Sequence, residues 1–170
     1  MSDMIAHAEG GDLVLPVRTD QVQRQFVETL HEVNAIVWEM DAVSWRFTYV
    51  SPRAERVFGY PLQRWYDEPT FWQDVLLHPE DREWCVFFCT RATGECRNHA
   101  FLYRARAADG RIVWVKDVVR VLPDEKGAAS LMRGVMVDAT DEAAERRHIH
   151  GGALDYDAPE LADLRSVLAA

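Results

Sequence analysis

Alternation of apolar and polar residues along the middle of the chain predicts β-strands. In the runs 35–40 and 44–50, apolar side chains occupy every second position. This pattern is typical of strands with one buried face, because successive side chains point to opposite sides of a sheet. The side chains predicted to face inward are Ile36, Trp38, Met40, Trp45, Phe47 and Tyr49. Further strands are predicted over residues 98–107, 111–122 and 131–137.

Between the second and third strands, the pattern changes to helical spacing. Pro52 stops the second strand and suits the first turn of a helix, with Ser51 as the predicted N-cap. A longer helix is predicted from Pro79 to about residue 93, with carboxylates at its positive end. Two strands, several short helices and three strands indicate an α+β domain: an antiparallel sheet with helices on one face. This domain is predicted over residues 34–139.

The segment before the domain is divided in two by its pattern. Residues 1–18 contain Gly10, Gly11 and Pro16 and no sustained period, so a flexible arm is predicted there. Residues 19–33 are predicted to form an amphipathic N-terminal helix, because apolar side chains recur every three or four positions. Such a stripe needs a partner surface, so the predicted partner-binding side chains are Val22, Phe26 and Leu30.

The segment after the domain is predicted to form two helices joined by a linker. Residues 140–150 form a charged helix with Thr140 as its predicted N-cap, and almost no apolar stripe. Residues 151–170 begin with Gly151-Gly152, which predicts a flexible linker, and continue as an amphipathic helix. That helix either folds back on the domain or binds a partner through Leu161, Leu164 and Leu168.

Composition and charge exclude several classes of protein. The 170 residues include 28 acidic and 19 basic side chains, giving a net charge of -9. A nucleic-acid binder that follows phosphates is usually basic, so this class is not predicted. The sequence contains no apolar run of the roughly 18 residues that a membrane span needs and no secretory signal, so a cytoplasmic protein is expected.

The sequence offers little catalytic or metal-binding chemistry. Cys85 and Cys89 lie four residues apart on the longer helix and could hold a metal. Without a Cys-x-x-Cys pair, the favoured interpretation is two small buried apolar side chains. The sequence contains no phosphate-binding glycine loop, no nucleophile elbow and no His-Glu-x-x-His. Neither catalytic residues nor a metal site is predicted, and the chain is not expected to be an enzyme.

Several short motifs, in this order and spacing, resemble a PAS domain of bacterial sensor histidine kinases and diguanylate cyclases. The resemblance covers about residues 28–147 and implies a five-stranded antiparallel sheet of order 2-1-5-4-3 with helices across one face. It also implies a module for sensing and protein interaction. The motifs are Trp38-Glu39, Tyr49-Val50-Ser51-Pro52, Val57-Phe58-Gly59-Tyr60, His78-Pro79-Glu80-Asp81-Arg82, Tyr103-Arg104, Asp109-Gly110-Arg111-Ile112-Val113-Trp114-Val115, Gly134 and Asp138-Ala139-Thr140.

PAS relatives hold haem, flavin or small molecules between sheet and helices. This sequence lacks the Asn-Cys-Arg-Phe-Leu-type motif of flavin-binding relatives and has no histidine within residues 84–93. No cofactor is therefore predicted, and haem and flavin are the least favoured occupants. Bulky side chains predict a filled core, with a small apolar or aromatic ligand as the alternative. The side chains predicted to line this space are Ile36, Trp38, Phe47, Tyr49, Cys85, Phe88, Cys89, Trp114 and Met136.

The resemblance implies a signalling role through other proteins. In most relatives the segment matching Asp138 and Thr140 feeds a helix into a kinase or cyclase, so these two residues are the predicted signal relay. If the chain is a whole protein, it has no output domain and is expected to bind a histidine kinase, a response regulator or a second copy. A homodimer would form through the N-terminal helix or the sheet. The alternative is a receptor for an apolar or aromatic small molecule.

The last three residues suggest a further, smaller hypothesis, a signal for degradation. Leu168-Ala169-Ala170 resembles the end of the tag that marks bacterial proteins for proteolysis. Helix-favouring alanines at the end of a helix are the simpler interpretation.

Overall fold

The computed structural model describes residues 35–145 and 151–169, which form one antiparallel sheet with helices on both of its faces. The sheet order is β2-β1-β5-β4-β3-β6, which confirms the predicted order 2-1-5-4-3 and adds a sixth strand beside β3. The strands are β1 Ala35–Asp41, β2 Phe47–Val50, β3 His99–Arg106, β4 Ile112–Pro123, β5 Ala129–Asp138 and β6 Gly152–Leu154.

The helices are short, with one exception. Helix α3, Pro79–Gly94, is the longest, and His78 is its N-cap because the Nδ1 atom accepts a hydrogen bond from the Glu80 N–H at 3.3 Å. The other elements before β3 are α1 Arg53–Phe58, α2 Leu62–Asp67 and a π-helical turn, Phe71–Leu76. After β5 follow α4 Thr140–Glu145, a 3₁₀ turn Pro159–Leu161 and α5 Ala162–Ala169.

Ser51 does not cap the first helix as predicted. Pro52 is the N-cap of α1, and no side chain accepts a hydrogen bond there. The Ser51 hydroxyl instead accepts a hydrogen bond from the Val37 N–H at 3.1 Å. The Ser51 side chain therefore contributes to the sheet, because the Val37 N–H of β1 needs an acceptor where the pairing with β2 ends.

The main core lies between the sheet and the helices that connect β2 to β3. Trp65 of α2 is 1% exposed and touches three aromatic rings, with centroid distances of 5.2 Å to Phe47, 6.0 Å to Phe58 and 4.8 Å to Phe71. Offset and edge-to-face contacts of this kind add to the free energy gained by burying the rings. The inner face of the sheet is thus covered mainly by aromatic side chains.

A second core covers the opposite, outer face of the sheet. The C-terminal strap, defined here as residues 151–169, packs on this face with Leu161 and Leu168 only 1% and 5% exposed. The sheet residues beneath it are small and apolar: Ala35, Ala100, Val118 and Val135, with Val37 and Val137 at the margin. Leu161 and Leu168 are therefore buried within the chain itself, as in the alternative in which this helix folds back on the domain, and Leu164 is half-buried beside them.

The two glycines predicted to be a linker lie against the sheet instead. Gly152 starts β6, which pairs with β3 through Leu102↔Gly152 and two further residue pairs. A Cβ atom at Gly151 would lie 3.0 Å from the Leu102 carbonyl oxygen and 3.1 Å from the Trp84 ring. The glycine permits a close approach of two backbones, a use that sequence pattern does not distinguish from flexibility.

Some predictions lie outside the described residues. These are the arm over 1–18, the helix over 19–33 with Val22, Phe26 and Leu30, and the end of the charged helix over 146–150. Among the helices that are described, none has the length and apolar character needed to cross a membrane.

Candidate functional site

A small cavity lies between the inner face of the sheet and the helices. Its volume is about 20 Å³, which is room for about one water molecule. Aromatic and sulfur-containing side chains form most of its wall, together with one carboxyl group. The lining residues are Trp38, Met40, Trp45, Phe47, Trp72, Cys89, His99, Phe101, Asp117, Val119, Met132 and Met136.

Four of the nine predicted residues line this cavity, namely Trp38, Phe47, Cys89 and Met136. Ile36 and Cys85 are buried elsewhere in the same core, and Tyr49 and Phe88 are half-buried outside the cavity. Trp114 was predicted on the wrong face. Alternation along β4 puts Asp117 on the inner face, so Trp114, three residues earlier, points outward, where the Arg104 guanidinium lies 5.8 Å from its ring centroid.

Asp117 is the functional candidate that the sequence analysis missed. It is 1% exposed and occupies the middle of β4, between inward-facing valines. Its Oδ1 atom accepts a hydrogen bond from the Trp38 indole N–H at 3.1 Å, and its Oδ2 atom accepts one from the Tyr103 hydroxyl at 3.3 Å. The available signal was a single acidic residue at an inward position of an otherwise apolar strand.

The polar network extends from Asp117 to the helices. The Trp72 indole N–H, in the π-helical turn, donates to the Tyr103 hydroxyl at 3.3 Å. Burial raises the pKa of Asp117 well above its usual value, and the two donated hydrogen bonds only partly oppose this. Burial also raises the pKa of Tyr103. The network therefore joins β1, β3, β4 and the helical layer around a buried carboxyl group whose pKa burial raises.

The position of Trp38 depends on a glycine in the neighbouring strand. Trp38 in β1 pairs with Gly134 in β5. A Cβ atom at Gly134 would overlap the indole ring of Trp38. Gly134 therefore provides the space that the indole occupies when its N–H reaches Asp117.

The predicted relay residues meet at the end of β5. The Asp138 carboxylate accepts a hydrogen bond from the Thr140 N–H at 2.9 Å, so the side chain of Asp138, and not that of Thr140, satisfies this backbone N–H at the start of α4. The Thr140 hydroxyl accepts from the Trp114 N–H at 3.1 Å. The two residues thus connect the start of α4 to the beginning of β4.

Comparison with known proteins gives the family. The family model described as PAS fold matches residues 47–136, slightly more than half of the chain. The chain belongs to the PAS family. PAS domains are sensory modules of signal transduction, and this chain is such a module. A comparison with curated proteins finds no match.

Solved structures of PAS domains resemble this one. The N-terminal domain of a diguanylate cyclase with PAS/PAC sensor from Marinobacter aquaeolei is 35% identical, with a TM-score of 0.58, over 64% of this chain and 97% of that one. A sensory box histidine kinase/response regulator from Burkholderia thailandensis is 21% identical, with a TM-score of 0.59, over 72% and 90%. A light-oxygen-voltage domain studied with a flavin analogue is 16% identical, with a TM-score of 0.57, over 72% and 90%. The last two show the fold alone.

The inner cavity of this PAS core, as the structure has it, is much smaller than a flavin. A pocket for a ligand of drug size usually has a volume of about 300–1,000 Å³, whereas this cavity has about 20 Å³. The Trp38 indole and the Trp72 ring fill the space between sheet and helices. Burial raises the pKa of both Cys85 and Cys89, so neither thiol forms a thiolate readily. In the part of the chain that the structure describes, no three His, Cys, Asp or Glu side chains cluster to hold a metal.

Proposed function

We propose that this PAS domain is a sensor or adaptor that acts by binding signalling proteins, and not through a bulky cofactor. The observation that supports this most directly is the filled core, with about 20 Å³ of space between sheet and helices. The partners proposed are a histidine kinase, a response regulator or a second copy of the chain. The similarity to the sensor domain of a diguanylate cyclase, at 35% identity, supports a partner that takes part in signalling.

The proposed surface for contact with a signalling partner is the outer face of the sheet. The C-terminal strap covers this face and would have to detach before a partner binds. The surface beneath the strap is apolar: Ala35, Ala100, Val118 and Val135. The strap is held by the pairing of β6 with β3 and by a hydrogen bond of 2.8 Å from Arg120 Nη1 to the Leu168 carbonyl. An apolar sheet face uncovered by release of the strap would favour association with another protein.

The relay residues offer a link between the sheet and the segment that follows. Asp138 and Thr140 join α4 to β4 and β5, and Lys116 of β4 forms a salt bridge of 2.9 Å with Glu142 of α4. We infer that a change in the spacing of β4 and β5 reaches α4 through these contacts. On this proposal, α4 transmits the state of the sheet toward the strap.

Replacing Leu168 with aspartate is expected to release the strap, because the charged side chain would enter the apolar second core. The amides of β6 should lose hydrogen-exchange protection, and a signalling protein captured from an extract of the native cell and identified by mass spectrometry should be recovered severalfold more. Ala162→Asp is the matched control, since it adds the same charge at an exposed position of the same helix.

Three outcomes would count against this proposal. Recovery of no signalling protein with the wild-type chain or with Leu168→Asp would contradict an adaptor role. Weaker recovery with Leu168→Asp than with the wild type would assign the contact to the leucines of the strap, and not to the sheet beneath it. An equal gain in Ala162→Asp would show that charge, and not release of the strap, causes the effect.

The alternative function is a receptor for a small apolar or aromatic molecule. The observation that favours it is the wall of the inner cavity, in which aromatic rings surround two buried polar side chains, His99 and Asp117. A ligand that binds only the folded chain stabilises it by RT ln(1 + [L]/Kd), or about 2.7 kcal/mol at a concentration of 100 Kd. A thermal-shift screen with apolar and aromatic metabolites therefore separates the two functions, and the filled core predicts no shift.

A further inference from the structure

Helix α3 carries apolar side chains on its outer side as well as on the side that covers the core. A helix that buries one face in a core is expected to be polar on the other. Phe87, in the middle of the outer side, is 65% exposed and belongs to neither core. It is the most exposed aromatic side chain in the part of the chain that the structure describes. Three half-buried side chains extend this apolar surface: Trp84, Val86 and Phe88.

The charges beside Phe87 differ in sign on its two sides. Glu83, one turn before Phe87, is exposed and forms no ion pair with any residue of 35–145 or 151–169. Arg91, one turn after Phe87, donates from Nε to Glu95 at 3.0 Å, and the same carboxylate also accepts from Arg97. The Arg91 side chain remains 66% exposed. The outer side of α3 therefore has a negative charge before Phe87 and a positive charge after it.

This surface is complementary to itself when two copies of α3 run in opposite directions. A two-fold axis at Phe87 would place Glu83 of each copy beside Arg91 of the other, because both residues are four positions from Phe87. Four residues span about 6 Å along a helix axis, a distance over which two packed helices stay close. A parallel pair would instead bring like charges together, Glu83 with Glu83 and Arg91 with Arg91, which is unfavourable. The charges thus favour a second copy in the antiparallel orientation.

We propose that the outer side of α3 is the contact surface of a homodimer, in which the two Phe87 rings pack together and Glu83 and Arg91 form two ion pairs. The inference rests on the proposed function in one respect, since a second copy is among the partners proposed there. The surface is separate from the outer face of the sheet, so the dimer does not require release of the strap. A contact of one helix from each copy is small, and small interfaces are weak and transient. The dimer therefore forms as the concentration of the chain rises.

Charge reversal tests the pairing of Glu83 with Arg91. Sedimentation velocity of the full chain, from micromolar to millimolar concentration, measures the dissociation constant of the dimer. Glu83→Arg and Arg91→Glu should each weaken the dimer at least fivefold, because each variant places like charges together in both pairs. An equimolar mixture of the two variants should dimerise with about the wild-type affinity, since the mixed dimer has both pairs of opposite charge. Glu125→Arg and Lys126→Glu, at exposed positions of the turn between β4 and β5, are the matched controls and should leave the dissociation constant unchanged.

Replacing Phe87 with alanine tests the apolar centre of the contact. The dimer should weaken at least tenfold, because an aromatic side chain at the centre of an interface contributes much of the binding free energy. The melting temperature at a concentration where the wild type is monomeric should stay unchanged, since the ring is exposed in a single copy. The two measurements together separate a role in dimerisation from a role in folding. Thermal melting also verifies that each charge variant is folded.

Several results would overturn the proposal. A wild-type chain that stays monomeric up to millimolar concentration would exclude the dimer. A dimer that Phe87→Ala does not weaken would be formed by another surface, such as the predicted N-terminal helix. A mixture of Glu83→Arg and Arg91→Glu that dimerises no better than either variant alone would exclude the antiparallel pairing. None of these results changes the recovery of a kinase or a response regulator with Leu168→Asp, so the proposed function is tested separately.

Discussion

Replacing Gly134 with alanine is expected to lower the free energy of unfolding by about 3 kcal/mol. The added Cβ would overlap the indole ring of Trp38, which lies against Gly134 of β5. Relief would require the ring to move, and the hydrogen bond from its N–H to Asp117 would then be lost. Urea denaturation followed by tryptophan fluorescence measures the change.

Two further variants test this explanation. Gly94→Ala makes the same chemical change at the end of α3, where no atom lies within 4 Å of the added Cβ, so it should be neutral or stabilise by up to about 1 kcal/mol. In a Trp38→Leu background, Gly134→Ala should cost far less than it does in the wild type. An equal cost in both backgrounds would show that Trp38 is not the reason for the glycine.

Replacing Asp117 with alanine is expected to destabilise the chain by about 2–4 kcal/mol, because the Trp38 N–H and the Tyr103 hydroxyl would be left buried without their acceptor. Asp117→Asn keeps one oxygen at the same place and should cost clearly less. Equilibrium unfolding at pH 5 gives both values. Equal losses in the two variants would show that volume, and not the hydrogen bonds, determines the effect.

The stability of the wild type is also expected to depend on pH through Asp117, and comparison with Asp117→Asn isolates this dependence. Burial raises the pKa of Asp117 well above its usual value of 3.8 in the folded chain. Above pH 3.8 the unfolded chain releases this proton while the folded chain retains it, so the unfolded state binds fewer protons. The free energy of unfolding then falls as the pH rises, by up to about 1.4 kcal/mol per pH unit from this group. Asparagine does not titrate.

Asp117→Asn should therefore gain stability relative to the wild type as the pH increases from about 4 toward the raised pKa of Asp117. Unfolding of both chains in urea at pH 4, 5, 6 and 7 measures the difference. A difference that stays constant over this range would mean that the carboxyl group is ionised in the folded chain.

Much of the fold could be predicted from sequence, because strand and helix patterns are local. Alternation around Trp38 and Phe47 identified the first hairpin, and the motifs of the resemblance gave the sheet order that the structure confirms. Alternation alone does not state which face of a strand is inward when both faces are apolar. Trp114 was therefore assigned to the wrong side of β4, and Asp117, on the inward side, was not considered.

The contacts of the chain ends and turns could not be predicted for a different reason. Ser51 and Thr140 have the side chains of helix caps, yet each hydroxyl accepts from a strand N–H that is distant in sequence. Gly151 lies where two backbones approach closely, and β6 exists only because β3 offers a free edge. Such uses depend on tertiary contacts, which local propensity does not contain.

We propose that this PAS domain works through protein contacts, with its inner core filled by its own side chains. The most direct test is native mass spectrometry of the chain isolated from its own cells. The expected result is the mass of the polypeptide with no flavin, haem or other large cofactor in the inner core, together with complexes that contain a histidine kinase, a response regulator or a second copy. A stoichiometric flavin or haem on a chain without any protein partner would contradict it.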